Sequence, residues 1–196
     1  MNEEDNLSSF SSFLLVLPFM ELDSSVLAVV ERCVLDVSLV DESAILSIPG
    51  TDSAEAAAEW GRELRSEVDS LITDFIQDTQ AHNYSLDSHC ANKAHDLKTA
   101  LRMLGCNRAA VITEIIENTA IKHQHSTAAA AGNGGNVSAD PPRLESSSSS
   151  AAAAVAAAVG AAATGAPVQR YLVDKLQEVY ISTLPTLNTY PWLKLE

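Results

Sequence analysis

Between Ser53 and Leu104 the apolar residues fall at helical intervals. Trp60, Leu64, Val68, Leu71 and Phe75 step by four, four, three and four, and Ile72 and Ile76 widen the same stripe. This spacing aligns one face of an α-helix, close to a heptad seam. The segment has no proline, and its only glycine is Gly61. Asp52-Ser-Ala-Glu55 places an acceptor at the N-cap and a glutamate three positions on, which marks a helix start. From Ala81 to Asn92 the sequence turns to Asn, Ser, Asp and His, which compete locally with the backbone. The seam thins to Tyr84 and Leu86 before Leu97, Leu101 and Leu104 restore it. Either one helix runs from 53 to 104, or two meet near Asn83–Asp87. The lack of glycine and proline there favours one helix, roughly 75–80 Å long at 1.5 Å per residue.

The neighbouring segments show the same period. Leu22, Val26, Val29, Val30, Cys33, Val34 and Val37 predict a helix over about 18–40, although so many valines make a strand the competitor. Residues 41–52 form a connection with Pro49-Gly50 turn chemistry. Gly105 suits a left-handed helix terminus and Asn107 a cap, so a short apolar helix is predicted over about 108–122, folded back as an αα-hairpin. Residues 126–167 are runs of Ala, Ser and Gly with Pro141-Pro142, which predicts a disordered linker. Val168–Leu184 carries a last amphipathic stripe, including Leu172, Leu176 and Tyr180, and Pro185 is expected to end it. Residues 1–17 read as a frayed terminus. The fold class is therefore all-α. The expected units are a helical domain over 18–125, the linker, and a C-terminal helix with an aromatic tail over 168–196.

Charge refines this picture. Residues 1–80 hold 17 acids against three arginines, a net of −14, which equals the net charge of the whole chain. That field disfavours direct contact with a nucleic-acid backbone and suits a basic partner. Three cysteines without motif spacing favour a reducing compartment, cytoplasm or nucleus. Asn2-Glu-Glu-Asp5 has the wrong charge to precede the apolar run Phe13–Met20 as a signal peptide. No run reaches the roughly 18–20 apolar residues of a membrane span.

The one cluster with metal-ligand chemistry is His82, His89, Cys90 and His95. Zinc sites use tight pairs such as C-x₂-C or H-x₃-H, and these spacings do not provide them. Bound zinc or catalysis there is the weakest reading, and the expectation is no cofactor, no metal and no enzyme. A long amphipathic helix, by contrast, cannot bury its stripe alone. Trp60, Leu64, Val68, Leu71 and Phe75, with Leu172, Leu176, Tyr180, Tyr190 and Trp192, are the candidate partner-binding residues. The partners expected are other helical subunits. In build alone the chain resembles the small acidic helical subunits of spindle, kinetochore or Mediator-type assemblies. That resemblance implies a non-enzymatic subunit, first of an augmin-like spindle or kinetochore assembly and second of a transcription regulator.

Overall fold

The structure is a computed structural model that describes residues 24–46, 54–130 and 166–194. The expectations for 1–17, for the cap at Asp52 and for most of the 126–167 linker lie outside the described residues. Six α-helices are described: α1 Ser24–Leu35, α2 Glu42–Leu46, α3 Ala54–Ala81, α4 Ser88–Met103, α5 Asn107–Ala130 and α6 Ala166–Leu187. A 3₁₀ turn follows at Pro191–Leu193. No strand occurs among the described residues, and the all-α reading holds.

The long segment is two helices, not one. At the end of α3, Asn83 and Tyr84 both take left-handed backbone angles, with φ of 53° and 59°. Tyr84 N–H donates to the Thr79 carbonyl at 2.6 Å and Asn83 N–H to that of Gln80 at 3.1 Å. These 6→1 and 5→2 bonds form a Schellman motif with asparagine in the place that glycine usually takes. The chain therefore stops without glycine or proline. Asp87 then starts α4, its Oδ1 accepting from Cys90 N–H at 2.9 Å. Leu86, fully buried just before this cap, anchors the turn.

The second stop occurs where the sequence places it. Gly105 has φ of 76°. Cys106 N–H donates to the Leu101 carbonyl and Gly105 N–H to that of Arg102, another Schellman pair. The following helix is longer than 108–122 and continues to Ala130, five residues into the expected linker, because alanine is the strongest helix former.

Short turns at 82–87 and 104–106 send α3, α4 and α5 up, down and up. Helix α5 is central and packs against α4, α6 and α1. Ile112, Ile115, Ile116 and Ala120 are fully buried along it. Its buried threonines stay satisfied within the helix: Thr113 donates to the Ala109 carbonyl at 2.8 Å and Thr119 to that of Ile115 at 2.7 Å. The charges on α4 and α5 pair across the hairpin. Arg102 meets Glu114 at 2.9 Å, and Lys98 and His95 share Glu117.

Glu114 is 2% exposed, and burial pushes its carboxyl above the ordinary value of 4.5 despite Arg102. A raised carboxyl pKa favours the fold while the group is protonated, and that contribution is lost as pH rises through the folded value. Glu114→Gln is therefore expected to melt higher than the natural protein at pH 7, with the gap closing as pH falls to 4.5 and below. Melting curves across that range check this, and a variant less stable at pH 7 would mean that the Arg102 pair outweighs the burial.

Three further boundaries differ from expectation. Helix α1 is described over Ser24–Leu35, and of its stripe Val30 and Val34 are buried while Val29 is exposed. Residues 42–46 of the connection form α2, capped by Asp41, whose Oδ1 accepts from Ser43 N–H at 3.0 Å. Pro185 does not end α6, which runs on to Leu187. Ile181 and Pro185 both lie on the exposed side, so water can reach the carbonyl that proline leaves without a partner. Burying Leu187, worth about 1.5–3 kcal/mol, holds the extra turn.

Candidate protein-docking groove

Helix α6 packs in cis, on α5 and α3 of the same chain. This decides where most of the expected partner-binding residues lie. Val68, Phe75, Leu172, Leu176 and Tyr180 are core residues, as is Leu64 apart from one edge. They lie in the interior of this chain, where α4 and α6 cover the α3 stripe and α6 in turn packs on α5 and α3. The aromatic tail is likewise used internally. Tyr190 and Trp192 lie 5.5 Å apart, half-buried, and pack against the core. The tail turn rests on Gly61, where a Cβ would come within 3.2 Å of the Leu193 side chain and the Trp192 carbonyl. The lone glycine of the long segment is thus a landing place for the C-terminus.

A buried polar clamp fastens this tail. Arg65 Nη1 donates to Asn188 Oδ1 and to the Leu193 carbonyl, both at 2.7 Å, and Arg65 Nε lies 3.9 Å from Asp69. The other carboxylate oxygen of Asp69 accepts from the Tyr180 hydroxyl. Burial first, and then the Asp69 carboxylate, push the Tyr180 phenol well above its usual range. At the other end of α6, Arg170 sits 5.6 Å from the centre of the Tyr84 ring.

The histidine cluster does not converge. His82 and His89 approach Asp78 at 3.5 and 3.4 Å, together with Lys93 at 3.1 Å, while His95 turns to Glu117 on α5. The hydrogen bond and charge of Lys93 hold the Asp78 carboxyl below its usual value. Cys90 points into the core, and burial pushes its thiol up to about 12, as it does that of Cys106. Such thiols stay protonated at neutral pH and are poor nucleophiles and ligands. Among the described residues no group of three or more His, Cys, Asp or Glu could hold a metal ion. No described helix is long and apolar enough to cross a membrane.

Between α3 and α4 lies an open groove with a volume of about 630 Å³. Helix α3 contributes Trp60, Glu63, Leu64, Glu67 and Leu71, and α4 contributes His95, Asp96, Thr99, Ala100 and Met103. Among the described residues the lining comes from these two helices alone. Three residues of the expected interface, Trp60, Leu64 and Leu71, form its apolar wall. Met103, 44% exposed, faces them from α4. The α4 side is not apparent from the main stripe, which is Leu97, Leu101 and Leu104. Its signal is a second stripe one position out of phase, Asp96, Thr99, Ala100 and Met103, which has meaning only once α4 is folded back on α3. No protein-family model matches the chain, and no curated protein or solved structure shows significant similarity to it.

Proposed function

We propose that the protein is a non-enzymatic helical subunit of a multiprotein assembly, and that it docks a partner chain in the α3–α4 groove. One observation carries this reading: the apolar side chains of Trp60, Leu71 and Met103, with one edge of Leu64, line a groove left open between α3 and α4. Exposed apolar surface rimmed by polar groups marks interaction sites. The Cys90 and Cys106 thiols are buried and protonated, and among the described residues no group of three or more His, Cys, Asp or Glu could hold a metal ion. The acidic helical build fits a spindle or kinetochore assembly, which is the assembly class proposed.

Met103→Glu tests the docking. The side chain is exposed, so the change is expected to alter stability by no more than about 0.5 kcal/mol. Placing a charge on the apolar floor is expected to strip co-purifying subunits from the natively isolated protein. Retention of the same subunits in the same amounts would contradict the proposal.

A further inference from the structure

We propose that the occupant of the α3–α4 groove is a lysine- or arginine-rich amphipathic helix of a partner protein. This rests on the docking reading and names the chemistry of its ligand. Glu63, Glu67 and Asp96 rim the groove, and neither lysine nor arginine lines it. Among the described residues none of the three carboxylates forms an ion pair. The cations of α4 are engaged elsewhere: Lys93 with Asp78, Lys98 with Glu117 and Arg102 with Glu114. Even His95, the one lining group that could become positive, directs its Nδ1 at Glu117, 2.8 Å away. The groove thus combines an apolar floor with an uncompensated negative rim.

The dimensions and charge select the occupant. From Trp60 to Leu71 is 11 residues, roughly 16 Å of helix, or about three turns. A docked helix of that length presents apolar anchors at i, i+3 or i+4, and i+7, the helix-in-groove mode of recognition. Positive side chains flanking the anchors meet Glu63 and Glu67 on one side and Asp96 on the other. Two occupants from this protein are disfavoured on charge. Residues 1–23 carry five acids and no base, and a second copy brings a net charge of −14. Either would set like charges against the rim.

The test uses the full-length protein and three fluorescent 18-residue synthetic peptides, read by anisotropy. One is amphipathic with leucine anchors and flanking lysines, the second is the same composition scrambled, and the third has glutamate in place of every lysine. The lysine amphipathic peptide is expected to bind at least tenfold more tightly than either of the others. Its affinity is expected to fall at least tenfold on Glu63→Lys/Glu67→Lys, a variant of two exposed positions, and to weaken steadily with added salt. Equal binding of the scrambled peptide, equal binding of the glutamate peptide, or no effect of the double variant would overturn the proposal. Loss of co-purifying subunits on Met103→Glu reads docking independently. If that loss occurs while the lysine peptide fails, the basic-helix assignment falls and the docking surface stands.

Discussion

Leu101→Ala is expected to destabilise the protein by about 2–5 kcal/mol, the range for emptying a leucine site in a packed core. Leu101 is fully buried on the α4 face that meets α5. Its carbonyl also accepts the Cys106 N–H in the Gly105 turn. The cavity would open at the hinge of the hairpin, where backbone bonds from both helices limit collapse. Against the total stability of about 5–15 kcal/mol usual for such domains, this loss is large. At about 2–4 °C of melting temperature per kcal/mol for a chain of this size, a fall of roughly 4–20 °C is expected. Leu35→Ala supplies the contrast. Leu35 is 65% exposed at the end of α1, and its truncation is expected to change stability by less than about 0.5 kcal/mol. Urea unfolding of both variants separates burial from composition, since residue type and substitution are the same. Equal losses at the two sites would mean that α4 and α5 are not packed as described.

Removing the Arg65 guanidinium is the second large effect. Arg65→Ala leaves the Leu193 carbonyl and Asn188 Oδ1 without their donor, and deprives Asp69 of its nearest cation. The Leu193 carbonyl is buried and orphaning it costs about 1–3 kcal/mol, whereas the exposed Asn188 can turn to water, so a loss of about 1–3 kcal/mol is expected. The loss is local as well as global. The Pro191–Leu193 turn would lift from Gly61 and carry Trp192 into water, which a red shift of tryptophan emission and early proteolysis after Leu187 would report. Arg65→Lys is expected to fall between, since one ammonium cannot reproduce the guanidinium fork. An Arg65→Ala variant with unchanged melting and unchanged emission would show that the tail is not clamped on α3.

Residues whose effect is local could be read along the chain. Gly105 is a helix stop wherever it is placed, because the left-handed angle it adopts is open to glycine, and the three-four stripes of α3, α4 and α6 persist in the structure. Features that depend on distant neighbours could not. Asn83 and Tyr84 adopt left-handed angles because the Leu86 anchor and the Arg170 contact hold the turn around them. Pro185 stays inside α6 because Leu187 is buried beyond it, which a rule about proline does not include. Val68 and Phe75 look the same as Trp60 and Leu71 in the stripe. Only the arrival of α4 and α6 separates them into core and groove.

The charges show the same division. The balance of residues 81–125 is visible in the sequence, but its cause, the pairing of Lys98 and Arg102 with Glu117 and Glu114, is tertiary. The excess acid of α3 has no such partners at Glu63 and Glu67. Gly61, which breaks the propensity of α3, has its reason 130 residues away in the tail.

The most direct measurement places a photo-crosslinking amino acid at position 103, in the floor of the groove, and another at position 177, where Gln177 is exposed on α6. Each protein is irradiated in its native assembly and the crosslinked peptide is sequenced by mass spectrometry. Position 103 is expected to capture one discrete partner segment, amphipathic with lysine or arginine beside its apolar anchors, which position 177 does not capture. No crosslink at 103, or the same products from both positions, would contradict a docking role for the α3–α4 groove.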